Sequence, residues 1–483
     1  MNSILAPLLP LQRTFVPILL VVVLWAIWRG LFKKDLAVGL ALYLGLVVIV
    51  DGFMNTGIYL PGLEKGSIRY SEVCAFILML YRPASVAAPP RRLVTWLFAS
   101  YFLMMTVAAL RSTPVMPGIL EFRSVIIPQI IAFTLAKRGL GTPESYRRFF
   151  MSLTVLVVLV GLFDIWDVAF DRWILKSEVL DKAIYAHNRE LNRFGSVFLN
   201  PNYLGAFVTL VFPALFVQTL NERKLAPRIW GGIGLLSLLF CLVETQSRGP
   251  LLAFGLCLAL LIVGPCGGVS RSRRVGFMAV AVVVFALFMP GFFTHASQRF
   301  SQIEEETAEG RTRETTWRYT QRIVAAHPVG GIGFGESGFM QAMTDFGFVD
   351  EFGMEPLDAP HNSYLQVAVY AGLPALLVFL FANMVLIGKG FSVSLRGDAQ
   401  HAGTVFGLAV GLIGFLASIF PDIQLFTANV APLYWVFFGL LLAQVTAARA
   451  EQAATAAPAF PFERTRAMLL RPRAAYPPDG ARL

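Results

Sequence analysis

The sequence predicts an all-α, polytopic membrane protein, a bundle of about twelve or thirteen spanning helices. Three observations carry that prediction. Hydrophobic residues make up 56% of the chain and charged residues 14%, where soluble domains average about 45–50% and about 25%. The excess lies in runs close to the ~20 residues that a bilayer span needs, such as 149–168, 203–220 and 363–386. Basic residues gather in every second connection between those runs, as they do on the cytoplasmic side of membrane proteins.

Taken in order, the first run, 14–28, is followed by further spans, so it reads as an anchor and not as a cleaved leader. It ends at Arg29, Lys33 and Lys34, and 35–53 follows. The run 70–81 is short and needs tilt or flanking residues to cross. Arg82, Arg91 and Arg92 separate it from 93–110. The run 119–136 stops at Lys137 and Arg138, and Arg147 and Arg148 precede 149–168. Arg223, Lys224 and Arg228 divide 201–220 from 229–246. Arg271, Arg273 and Arg274 divide 249–264 from 275–291, and Lys389 and Arg396 divide 363–387 from 402–420. The last run, 430–447, leads into Arg449, Arg464, Arg466, Arg471 and Arg473.

This alternation places those basic loops and the C-terminus in the cytoplasm, and by count the N-terminus outside. Two long connections, 169–200 and 292–362, then lie outside. They carry Arg and Lys against the bias, but long loops translocate regardless of charge, and acids such as Asp171, Glu178, Asp181, Glu190 and Glu304 to Glu306 balance them. The expected plan is a transmembrane domain at 1–447, an outer loop at 169–200, a larger outer loop with short helices at 292–362, and a basic tail at 448–483. The tail is rich in Ala, Pro and Arg, a composition that favours disorder, and its charge suits anionic lipid.

The net charge of +10 does not point to nucleic acid, because no basic and aromatic patch stands on a soluble domain. Cys74, Cys241 and Cys257 fall in spans and Cys266 in a short loop. Neither a disulfide framework nor a zinc site is suggested. No metal cluster is read elsewhere, and no cofactor is expected.

The polar residues that bear chemistry sit at one face. Residues 311–327 read as a helix anchored by Trp317, Ile323 and Val324 and closed by Pro328. A glycine-rich turn follows, Gly330-Gly331-Ile332-Gly333-Phe334-Gly335. Such a turn either cradles phosphate or packs the loop onto the membrane domain; without a strand and a Lys-Ser/Thr context, packing is preferred. Pro360-His361-Asn362-Ser363 opens a span. A histidine there has a wet side and a dry side, and an imidazole titrating at about 6.5 suits proton abstraction. It also suits a simple capping role.

Arginines face the same side: Arg193 before Asn200-Pro201-Asn202, Arg248 in a Ser-Arg-Gly turn, and Arg311, Arg313 and Arg318 on the loop helix. Arginine stays charged and grips phosphate oxygens two at a time. Any one alone reads as headgroup snorkelling or an ion pair. Together with one histidine they suit an anionic lipid diphosphate. Glu72, Glu121, Arg123, Asp164, Asp167 and Glu244 lie in or near spans. Such residues are functional candidates, but no role is assigned to them. Glu121 and Arg123, two apart, fall on different helix faces.

Four blocks in order resemble a known family. Arg193-Phe194-Gly195 through Asn200-Pro201-Asn202, Thr245-Gln246-Ser247-Arg248-Gly249, Arg313-Glu314-Thr315-Thr316-Trp317 with His327-Pro328-Val329-Gly330-Gly331-Ile332-Gly333, and Pro360-His361-Asn362-Ser363-Tyr364-Leu365 with Ala371-Gly372-Leu373 are similar to motifs of the bacterial O-antigen ligase and polymerase superfamily. Together they cover about residues 190–390. The resemblance implies a fold of the lipid-dependent glycosyltransferase type in the bacterial inner membrane, with its site on the periplasmic face. It implies glycan transfer from undecaprenyl diphosphate to an acceptor hydroxyl. By motif position, Arg193 and Arg313 are the diphosphate-binding arginines, and Arg311 and Arg318 compete with Arg313 for that role. His361 is the base or acceptor-positioning residue, and Arg248, Asn202, Asn362, Gly331 and Gly333 shape the site. His187-Asn188 lacks the flanking context and ranks as a decoy.

The chemistry expected is metal-independent transfer with inversion at the anomeric carbon, arginines taking the growing charge of the leaving diphosphate. The acceptor is lipid A–core for an O-antigen ligase, or a second lipid-linked glycan for an O-antigen or exopolysaccharide polymerase. A protein O-oligosaccharyltransferase is a minor branch. A flippase or transporter is the reading from another class; it predicts broken helices and polar sites near the midplane, whereas the motifs here gather at one face.

Overall fold

The structure, a computed structural model, describes residues 21–51, 68–81, 92–140, 142–170, 193–267, 269–288, 313–352, 356–396 and 399–456. Among them there is helix and no strand, as long apolar runs require where every backbone group must be bonded within its own segment. The chain is a polytopic all-α membrane protein. Every expected span overlaps a described helix. In chain order these are α1 (Val21–Phe32), α2 (Leu36–Val50), α3 (Tyr70–Met79), α4 (Arg92–Leu110), α5 (Val115–Gly139), α6 (Pro143–Phe170), α7 (Pro201–Asn221), α8 (Leu225–Thr245), α9 (Arg248–Val263) and α10 (Arg271–Phe288). Three helices follow in the long connection: α11 (Arg313–Ala326), α12 (Glu336–Asp345) and α13 (Phe348–Phe352). Then come α14 (Ser363–Arg396), α15 (Ala399–Ser418) and α16 (Ala431–Ala456).

Seven of these helices, α4 to α8, α14 and α16, are long and apolar enough to cross a membrane, and α1, α2, α3, α9 and α15 are shorter apolar helices. Helices α7 and α16 are buried on nearly all sides. Around them, α7 packs on α8, α9 and α15, while α16 packs on α5 and α15. The outer helices expose apolar side chains on one face: Leu377, Leu380, Phe381 and Met384 on α14, and Leu225, Ile229, Ile233 and Leu236 on α8. A three-to-four-residue spacing of exposed leucines is what a lipid-facing stripe demands.

The two ends of the bundle differ. At one end Arg29 and Arg148 share Asp35 (3.3 and 3.7 Å), and Arg147 holds Glu222 at 2.6 Å. Arg274, 6% exposed, donates to the carbonyls of Leu261 and Gly264 at the end of α9. These are the basic connections read from the sequence. The other end gathers 193–202, 245–249, 327–335, 361–363 and 419–427.

Glycine decides how the long connection meets that end. Gly372 (φ 87°) and Pro374 break the helical run of α14. The carbonyls of Val369 and Tyr370 there accept the N–H groups of Ile332 and Gly333, at 2.9 and 3.2 Å, and Pro328 O accepts Leu373 N–H at 2.8 Å. Gly331 (φ 60°) sits so close that a Cβ would lie 2.5 Å from the Tyr370 carbonyl, and one on Gly333 (φ 103°) would lie 2.7 Å from Ser112 Cα. The glycine-rich turn therefore packs the loop onto α4 and α14, as preferred from sequence. Gly331→Ala is expected to destabilise the chain by at least the ~1–2 kcal/mol of a left-handed residue with a side chain, read as a lower midpoint in thermal unfolding.

The acids near the spans are also placed. Glu72 pairs with Arg123 at 2.7 Å, whereas Glu121 accepts Glu336 N–H at 2.9 Å, so the neighbours two apart do face different ways. Asp164 and Asp167 are buried, at 0% and 3% exposed. Helix α16 continues past 447 to Ala456, and 457–483 lie outside the described residues.

Candidate active site

The motif blocks converge because their backbones are capped into place. Asn200 precedes Pro201 at the first turn of α7, and its side chain accepts Asn202 N–H at 2.8 Å. Proline at that position loses no helical bond, and the cap fixes the direction of the Asn202 side chain. Asn362 does the same for α14: its Oδ1 accepts the N–H groups of Tyr364 and Leu365, each at 3.0 Å. Asn362 thus starts the helix immediately after His361. His361, just before it, has φ 48°, an uncommon conformation for a residue with a side chain.

Arg193 is half-buried. Its Nη2 donates to Asn202 Oδ1 (3.0 Å) and Ser247 Oγ (2.9 Å), and its Nε to Thr245 O (3.4 Å). The Ser-Arg-Gly turn therefore reaches the cluster through Ser247, with Arg248 opening α9 one residue later. Asn202 in turn donates its Nδ2 to Asp422 Oδ2 at 2.5 Å. Asp422 Oδ1 lies 3.7 Å from His361 Nδ1, and that nitrogen is buried without a hydrogen bond. Arg313, exposed at the start of α11, lies within electrostatic reach of Asp422.

Asp422 joins these parts, and sequence reasoning missed it. It is 3% exposed. Burial pushes its carboxyl up, but His361, Arg313 and the Ile423 N–H outweigh burial and hold it below the ordinary carboxylate range. Its carbonyl accepts both the N–H and the hydroxyl of Ser363, each at 2.8 Å. The connection between α15 and α16 is thereby stitched to the start of α14. The available signal was positional: Asp422 is the acid of the connection between α15 and α16, at the same end of the bundle as His361.

Other predicted residues fall elsewhere. Arg318 forms an exposed pair with Glu351 at 3.2 Å, so the structure does not bring it to His361. Arg311, His187-Asn188 and Glu304 to Glu306 lie outside the described residues. Trp317 packs edge-on to Phe420, with centroids 5.6 Å apart, and Ile323 and Val324 are buried, as the loop helix predicts. No group of three or more metal-ligating side chains occurs among the described residues.

Fold and site together define a multi-pass helical membrane protein with an arginine, histidine and carboxylate cluster at the end of the bundle opposite its basic loops. Residues 233–380 match the family model described as O-Antigen ligase. That similarity supports the O-antigen ligase and polymerase superfamily read from the motifs. The match takes in Arg248, Arg313, Gly331, Gly333, His361 and Asn362, while Arg193, Asn202 and Asp422 lie beyond its bounds. No curated protein matches the chain.

Proposed function

We propose that the chain transfers a glycan from undecaprenyl diphosphate to an acceptor hydroxyl at the periplasmic face of the inner membrane, as an O-antigen ligase with lipid A–core as acceptor. One observation carries this reading. Residues distant in sequence converge on one buried carboxylate, Asp422: His361 faces it, Arg193 is linked to it through Asn202, and Arg313 lies within its electrostatic reach. Positive charge at that place meets the diphosphate, and the histidine meets the hydroxyl.

In this mechanism Asp422 faces His361 Nδ1 and leaves Nε2 for the acceptor, the arrangement by which a carboxylate orients a histidine base. Nε2 takes the hydroxyl proton as the acceptor oxygen bonds to the anomeric carbon. The bond from that carbon to the diphosphate oxygen breaks, and the electron pair leaves with the diphosphate. Arg193 and Arg313 stabilise the charge that grows there. Attack opposite the leaving group inverts the anomeric carbon. Because arginines supply the charge that a divalent ion supplies elsewhere, transfer by the purified chain is expected to keep its rate in excess EDTA. Full loss in EDTA, restored by a divalent ion, refutes the metal-independent step.

The same chemistry serves a polymerase if the acceptor is a second lipid-linked glycan. Purified chain, lipid-linked donor and the two acceptors compared side by side decide this. Product on lipid A–core alone supports the ligase, and lengthened lipid-linked glycan supports the polymerase. No transfer to either refutes both.

A further inference from the structure

Gln129 is an amide buried within α5, and the mechanism above makes no use of it. Trp435 on α16 donates its Nε1–H to Gln129 Oε1 at 2.6 Å, and Gln129 Nε2 donates to Leu425 O at 3.0 Å. Trp435 is also buried, among the rings of Phe98, Phe102, Tyr434 and Phe438, whose centroids lie 5.0 to 5.3 Å from its own. An amide sealed among apolar helices costs free energy unless its ends are bonded. Here the oxygen is tied to a packed aromatic cluster, and the nitrogen grips a backbone carbonyl in the connection between α15 and α16.

Leu425 is three residues from Asp422 and shares a hydroxyl with it. Ser363 Oγ accepts Leu425 N–H at 3.4 Å and donates to Asp422 O at 2.8 Å. Between them Asp422 Oδ1 accepts Ile423 N–H at 2.8 Å, and a tight turn at Gln424–Phe426 places Phe426 N–H on Ile423 O at 2.9 Å. Leu425 is therefore held twice, by Ser363 at its N–H and by Gln129 at its carbonyl, and Asp422 moves with it. The distance that depends on this placement is the 3.7 Å from Asp422 Oδ1 to His361 Nδ1. A small displacement of the turn parts the two groups, and a misplacement of about 1 Å costs about 100-fold in rate. A fully bonded buried polar network fixes one arrangement of a core. We infer that Gln129 and Trp435 are positioning residues, which hold the Asp422 carboxylate against His361 from within the bundle. Their effect on rate rests on the transferase reading; the placement of the imidazole proton does not. A carboxylate beside Nδ1 keeps the proton on that nitrogen and leaves Nε2 free to accept.

The test uses the full chain in lipid nanodiscs, with nitrogen-15 histidine and with His361→Ala to assign the signal. Solid-state NMR, at a pH where imidazoles are neutral, reads which ring nitrogen carries the proton. Wild type is expected to hold it on Nδ1. Gln129→Met keeps the volume and removes both bonds, and is expected to lose that preference as far as Asp422→Asn does. Trp435→Phe keeps an aromatic ring and the Gln129–Leu425 bond, and is expected to shift the tautomer the same way by less. In transfer assays Gln129→Met is expected to lower kcat at least tenfold with the donor KM within about twofold, and to add nothing to Asp422→Asn. A mixed tautomer in wild type, the wild-type tautomer in either variant, or losses that add to those of Asp422→Asn overturn the clamp. Should Gln129→Met not accumulate, Trp435→Phe decides by the same reading. A tautomer that shifts in the variants, with no transfer by wild type from the lipid-linked donor, keeps the clamp and refutes the transferase.

Discussion

His361→Ala is expected to all but remove glycan transfer while the chain still inserts and accumulates. Removing a positioned base costs about 100- to 10,000-fold, and the donor still binds through arginines that the substitution leaves in place. The rate is expected to fall with the donor KM within about twofold, the signature of a contact made in the transition state. The side chain is 28% exposed and its Nδ1 makes no hydrogen bond, so little stability is lost with it. Asp422→Asn separates orientation from packing. Its shape is kept and its charge is gone, so the imidazole loses the carboxylate that selects its tautomer. The expected result is a loss of rate approaching that of His361→Ala, and a double variant no worse than the worse single one. Additive losses would show that the two residues act apart.

Arg313→Lys is expected to impair transfer by at least tenfold, although the charge is conserved. A lysine offers a point charge where arginine offers a planar fork, and a diphosphate presents paired oxygens to it. Arg313 is exposed at the start of α11, with Asp422 within electrostatic reach, and the substitution is expected to leave folding alone. Arg193→Lys has a second cost. Arg193 already spends donors on Asn202, Ser247 and Thr245, and a shorter reach leaves part-buried acceptors unpaired. Kinetics at varied donor, together with thermal unfolding, tell the two apart: Arg313→Lys moves kcat/KM only, and Arg193→Lys moves both. A wild-type rate in Arg313→Lys would remove that arginine from the diphosphate.

The bundle was legible because its signal is local. Twenty apolar residues in a row announce a span without any neighbour, and the positions of α4 to α8 follow directly. Ends were less legible. Helix α14 runs on to Arg396, past Lys389 where a charge count stops it, because long basic side chains extend from a helix end without breaking it. Within the site, Arg193, Asn202 and His361 were legible through ordered motifs. Asp422 was not. Its meaning comes from the α14–α15 pair, which returns the chain so that Ile419 and Asp422 meet Ser363, and a lone acid after a proline carries no trace of that return. Arg318 shows the converse. It looks like Arg313 in sequence, yet five residues along a helix of 3.6 per turn it points to a different neighbour, Glu351.

Asp422 arrives late in synthesis. Translation delivers Arg193 first, then Arg313, then His361, and the carboxylate that links them only when, among the described helices, α16 alone is still to be made. Before that moment the His361 imidazole has no carboxylate beside it, and Asn202 has no acceptor for its Nδ2. Order along the chain alone therefore makes the completed charge cluster one of the last features the growing protein acquires.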